Sequence, residues 1–225
     1  MSQELWSAVD CYIGGLLAPH DALLSDALEA SAAAGLPAIQ VSPPQGKLLH
    51  VLARMVGARN ILEIGTLGGY STIWMARALP PGGHLLTLEA DKKHAQVART
   101  NFDHAGLGTT IALRFGPALE TLPKIAAEGR DPFDLIFIDA NKSSMAEYFG
   151  WALRLSRRGS AIVADNVIRD GKVIDTTSED PDIVGVRRFN ARLAAEPRVS
   201  ATEIQTVGSK GYDGFALALV IADPK

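Results

Sequence analysis

The stretch "LIFIDANKSSM" (residues 135–145) ends an apolar run in Asp139 and sets an ammonium, Lys142, three residues beyond it. A second apolar run, "AIVADN", ends in Asp165 and Asn166. If these runs are neighbouring parallel strands, their ends lie roughly 5 Å apart. Two carboxylates that close repel unless a cation sits between them. Asp139, Asp165 and Asn166 make an all-oxygen set, which suits a hard divalent ion such as Mg²⁺ and leaves about three of its six octahedral positions to substrate and water. Lys142 stands where a base is useful, because a nearby divalent cation disfavours its ammonium form and acidifies a bound hydroxyl. The plainer reading makes Asp165-Asn166 a turn, Asp139 a helix cap and Lys142 a solvated lysine in a first helical turn.

A second constellation precedes these. "EIGTLGGYST" (residues 63–72) reads as a tight turn between a strand and a helix N-terminus, with Gly65, Gly68 and Gly69 letting backbone approach a ligand. A dinucleotide fingerprint counted from Gly65 needs glycine at 67 and 70, where the chain has Leu67 and Tyr70. Glu89 ends the next apolar run and fits a pair of ribose hydroxyls. A nucleoside without a pyrophosphate therefore fits better than NAD. S-adenosylmethionine is such a molecule, with Ser71 at the helix start to hold its carboxylate. Glu63, Glu89, Asp139 and Asp165 would all emerge at one edge of a sheet.

Positioning these groups requires a parallel sheet. From Asn60 onward short apolar runs ("NILEIG", "HLLTLE", "TIALRFG", "FDLIFIDA", "SAIVADN") alternate with helical stretches after Gly69, Asp91, Pro117 and Ser143. Runs with little internal alternation are what strands covered on both faces look like, and strand–helix repetition argues right-handed crossovers. In such sheets ligands sit at the carboxyl ends of strands, near the reversal of strand order. Before Gly57 the spacing predicts three helices, in "ELWSAVDCYIGGLLA", "DALLSDALEASAAAG" and "PPQGKLLHVLARMVG". After a helix around residues 184–196, "VSATEIQTV" and "GFALALVI" flank "GSKGYDG" and should pair antiparallel. The chain reads as one α/β domain over 1–225, with a helical cap (1–58) on a Rossmann-like core (59–225).

Composition narrows the class. Of 225 residues 47% are hydrophobic and 21% charged, so a sizeable core is available. The net charge of −3 offers no pull toward nucleic acid. No apolar run approaches the roughly 20 residues that span a bilayer, so no membrane partner is expected. The lone Cys11 has no internal disulfide partner, and the N-terminus lacks a secretory pattern, which together point to the cytoplasm. The five histidines show no ligand spacing, and Trp6, Trp74 and Trp151 fall in helical patterns that suit packing.

Taken in order, "LEIGTLGGYST", "GPALETL", "FDLIFIDANK" and "ADNVIRDGKV" resemble the cation-dependent O-methyltransferases of the catechol and caffeoyl-CoA type, over residues 41–220. The resemblance implies a class I methyltransferase fold, with a mostly parallel seven-stranded sheet carrying an antiparallel C-terminal strand. It implies S-adenosylmethionine as cosubstrate, held by Val41, Glu63, Gly65, Thr66, Tyr70, Ser71, Glu89, Ala118 and Asp139. Within that set Glu89 takes the ribose, and Gly116 to Ala118 border the adenine. Asp139, Asp165 and Asn166 would bind Mg²⁺ or another divalent cation, Lys142 would be the base, and the molecule would be a homodimer. The pattern departs at the substrate wall: the Asp-Asn-x-x-Trp of plant members becomes Asp165-Asn166-Val167-Ile168-Arg169. Caffeoyl-CoA is therefore not carried over. The expected acceptor is a small vicinal diol of catechol type, with residues 168–181 as a mobile lid and Arg169 facing an acidic or carboxylated group. A nicotinamide-dependent oxidoreductase and a non-catalytic nucleoside-binding protein are the alternatives.

Overall fold

The central apolar runs become strands because helices cover both faces of the sheet they form. The computed structural model describes residues 2–18 and 21–223; His20 lies outside them. Three helices come first: α1 (Gln3–Leu17), α2 (Ala22–Ala33) and α3 (Pro43–Met55). Their side-chain caps are Ser2, Asp21 and Ser42, residue types that satisfy a first-turn N–H. Then strands and helices alternate: β1 (Asn60–Ile64), α4 (Tyr70–Ala76), β2 (His84–Glu89), α5 (Lys92–His104), β3 (Ile111–Phe115), α6 (Ala118–Ala127), β4 (Phe133–Ile138), α7 (Met145–Leu155) and β5 (Ser156–Asp165). The chain closes with α8 (Pro181–Ala195), β6 (Val199–Gly208) and β7 (Gly211–Val220).

The sheet order is β3-β2-β1-β4-β5-β7-β6. β7 runs antiparallel to both neighbours and the rest are parallel, the expected arrangement. Strand order reverses between β1 and β4, which pair directly. Period-two alternation splits the core into two layers. Leu62, Ile136 and Ile162 face α6, α7 and α8; Ile61, Leu135 and Val163 face α2 to α5. Every residue of β4 is buried, which is why its sequence shows no polar alternation.

Two boundaries differ from the sequence reading. β5 begins at Ser156, four residues before its apolar run, with its register to β4 shifted between Phe133 and Leu135. Polar Arg157 and Arg158 hid this stretch; Arg157 Nη2 donates to the buried Asp134 at 2.5 Å, an anchor that hydrophobicity cannot reveal. Helix α8 starts at Pro181, capped by Asp180.

Candidate active site

The carboxyl ends of β1, β2, β4 and β5 open into a cleft of about 730 Å³, within the range of small-molecule sites. All the candidate residues except Glu63, Gly68, Gly69 and Pro117 line it. Ile138 pairs with Ala164 across β4 and β5, so Asp139 and Asp165 leave adjoining strands side by side. Lys142, buried despite its charge, opens a single 3₁₀ turn (Lys142–Ser144) and donates to Asp139 Oδ1 at 2.7 Å. The first turn after Asp139 is thus 3₁₀, with α7 beginning at Met145. Helix α8 backs this turn at Gly185, where a Cβ would lie 2.3 Å from the Lys142 carbonyl oxygen.

Charge is poorly balanced here. Burial and the Asp139 charge push the Asp165 carboxyl up to about 7, against partial relief from Lys142, the Asn166 N–H and Gln45. Two carboxylates face one ammonium, a local excess of negative charge. No cluster of three His, Cys, Asp or Glu side chains suited to a metal occurs among the described residues. The set at hand has two carboxylates, and its third oxygen comes from an amide. Asn166 sits at φ +59, a left-handed conformation that asparagine tolerates better than most residues.

The glycine turn works differently from the expectation. A Cβ on Gly65 (φ +99) would lie 2.0 Å from the Asp139 carbonyl oxygen, one on Gly68 would strike Ser31, and one on Gly69 (φ +86) would strike Phe102. These glycines bring the turn against β4's end, α2 and α5, and only Gly65 also lines the cleft. Asn101 holds the turn from α5, donating to the Gly68 carbonyl at 2.8 Å. Glu89 accepts from the Thr66 and Leu67 amides at 3.1 and 2.8 Å and from Asp91 N at 2.8 Å, which fixes its carboxylate at the cleft wall. Glu63 lies beneath the turn, accepting from Ser71 (2.6 Å), Thr72 and Thr87 (2.7 Å). Burial pushes it up to about 7 in spite of those three hydroxyls. Ser71 therefore spends its proton on Glu63.

The sequence reading missed several residues. Gln45 from α3, His94 from α5, Tyr148 from α7, and Lys210, Tyr212 and Asp213 around the β6–β7 turn all line the cleft. "GSKGYDG" was visible as a hairpin connection, but nothing local said that it folds over the strand ends. Residues 168–181 are pinned at their start. Asp213 Oδ1 accepts from Ile168 N and Arg169 N, each at 3.0 Å, and from Gly214 N at 2.9 Å. Arg169 faces an acid, Asp182, at 3.6 Å. Every non-glycine residue with positive φ among those described (Leu67, Asn166, Arg169 and Asp170) lines the cleft.

Comparison with known proteins gives one answer. Residues 17–221 match the model of an O-methyltransferase family. A catechol O-methyltransferase of Niastella koreensis is 57% identical over 220 residues, spanning 98% of this chain and 100% of that protein. The crystal structure of an O-methyltransferase from Bacillus cereus in complex with SAH superposes with TM-score 0.96 at 57% identity, covering 97% of this chain and 100% of the other. TomG of Streptomyces achromogenes, an O-methyltransferase involved in tomaymycin synthesis and crystallised with SAM, gives 0.95 at 51% identity, covering 99% and 100%.

Proposed function

The chain belongs to the O-methyltransferase family, and on that premise we propose that it moves the methyl group of S-adenosylmethionine to one hydroxyl of a small catechol-type diol. Its enzyme class is that of an S-adenosylmethionine-dependent O-methyltransferase, so the oxidoreductase and non-catalytic alternatives fall away. The observation that carries the acceptor reading is the pairing of buried Lys142 with half-buried Asp139, 2.7 Å apart in the cleft beside Asp165.

Asp139, Asp165 and Asn166 would hold a divalent cation, whose oxygen-only donor set suits Mg²⁺. Such an ion supplies Lewis acidity toward the two hydroxyls of a diol. Lys142 Nζ takes the proton of one hydroxyl, and its backbone is fixed for this by α8 at Gly185. The resulting oxyanion attacks the sulfonium methyl; the O–CH₃ bond forms as the S–CH₃ bond breaks, and S-adenosylhomocysteine leaves. Charge is destroyed in that step, so the protein contributes mainly by orienting the partners and excluding water. Glu89 receives the ribose hydroxyls, and Val41, Gly65, Thr66, Tyr70, Ser71 and Ala118 line the remainder of the cosubstrate's path, with Glu63 acting on it through Ser71.

Residues 1–225 form one methyltransferase domain in this reading, with 1–58 as its cap, acting as a homodimer in the cytoplasm. Helix α1 supports the dimer: it buries none of its own residues, and Leu5, Val9, Tyr12 and Leu16 make an exposed apolar stripe at helical spacing. The free thiol of Cys11 is compatible with a reducing compartment. No described helix is long and apolar enough to cross a membrane. The test is turnover of catechol with S-adenosylmethionine before and after EDTA. Activity should vanish with the chelator and return with Mg²⁺; undiminished turnover in EDTA would remove the metal from the reading.

A further inference from the structure

Beyond the diol and metal groups, the acceptor end of the cleft carries two cations that the chemistry above does not use. Arg169 has a buried Nε with no hydrogen-bond partner in the protein. Its nearest acid, Asp182, stands 3.6 Å away, longer than a hydrogen bond. The buried Nε proton of its guanidinium is thus left unsatisfied beside the cleft. Lys210 is exposed along its stem but folds its ammonium inward, donating to the Ala38 carbonyl at 2.7 Å. Burial lowers its pKa.

These two side chains share one rim. Arg169 belongs to the segment after the Asp165-Asn166 pair and Lys210 to the β6–β7 turn, and Asp213, just after that turn, holds the first segment through the backbone N–H groups of Ile168 and Arg169. Val167 N adds a bond to the Gly214 carbonyl at 3.1 Å. Asp213 keeps its negative charge while accepting those bonds, and it lines the cleft together with Asp170 and Asp182. Both cations line the same cleft as Asp139 and Asp165.

We propose that Arg169 and Lys210 select an acceptor bearing an anionic substituent, a carboxylate, on the ring that carries its adjacent hydroxyls. The inference rests on the catechol reading and narrows it. Arg169 offers a planar fork that matches a carboxylate, and Lys210 adds a point charge in the same cleft. The opposing possibility, an amine drawn by Asp170 and Asp182, is an outcome of the same experiment.

Initial rates are measured for 3,4-dihydroxybenzoate, its methyl ester and 3,4-dihydroxybenzylamine, with Mg²⁺ and S-adenosylmethionine present. The acid should exceed the ester in kcat/KM by about tenfold, the worth of one charge-assisted hydrogen bond, chiefly through KM. That advantage should shrink as salt is raised, while the ester's KM stays constant. Lys210→Met and Arg169→Met should each lower the acid-to-ester ratio, and Lys210→Arg should restore it. Lys210 sits at an exposed turn, so its variant decides the matter even if Arg169→Met fails to fold. Equal efficiency for acid and ester, or a preference for the amine, overturns this inference and leaves catechol methylation standing. Turnover of none of the three overturns both.

Discussion

At the scale of single residues, the site is a contest between buried acids and too few cations. Lys142→Ala and Asp139→Ala should each reduce turnover at least a hundredfold, the usual worth of a positioned base or charge. S-adenosylhomocysteine titration should still detect cosubstrate binding in the lysine variant. Glu63 makes a separate prediction about stability. Its carboxyl rises from an ordinary 4.5 to about 7 in the folded protein. Between those pH values the native state therefore keeps a proton that the unfolded chain has released. Stability falls as pH climbs through that window, by roughly 3 kcal/mol for this group, and nothing is lost below it. Glu63→Gln should flatten the decline of Tm between pH 5 and pH 8; an identical slope in both proteins would contradict the assignment. The placement of these groups was legible in the sequence, because Asp139 and Asp165 end apolar runs that could only be buried strands. Glu63 ends such a run as well, yet its place under Ser71 instead of in the cleft depends on three hydroxyls, two of them from α4 and one from β2.

At the scale of elements, the turn after β1 is the tightest joint. Gly65→Ala would put a methyl group into the Asp139 carbonyl and force alanine to φ +99. It should lower Tm and weaken cosubstrate binding together, since the same joint carries the Asp139 backbone; calorimetry and titration of the one variant measure both. Sequence periodicity identified the helices and strands because each pairs one apolar stripe or run with a definite partner layer. It could not say what the glycines touch, because a close approach is made by the neighbour's backbone and leaves no mark on the glycine's own sequence. The β6–β7 turn was equally opaque. Its position depends on α1, where Asp10 accepts from Ser209 N at 2.7 Å and Gln3 donates to the Gly208 carbonyl at 2.8 Å, contacts that span nearly the whole chain.

At the scale of the whole molecule, α1 leaves its apolar stripe without a partner while Val51 and Met55 of α3 and Ile204 and Val207 of β6 are also exposed. A surface of that kind on a protein of this size calls for a cover. Tyr12→Asp combined with Leu16→Asp should convert a dimer into monomers in sedimentation at micromolar concentration, with the secondary structure unchanged. A wild-type protein already monomeric there would remove the dimer. The same helix ties down the turn that bears Lys210, so a change of assembly would be felt at the acceptor rim. The two ends of the cleft thus have different origins. One is made by strand termini locked in the middle of the sheet; the other is made by a two-residue turn at its edge, flanked by Gly208 and Gly211 and tied to the rest of the chain by side-chain contacts with α1 and the Ala38 carbonyl. Inheritance can exploit that division: if the turn chooses the acceptor as proposed, substitutions there retune that choice while the strand ends that meet the cosubstrate pass to descendants unaltered.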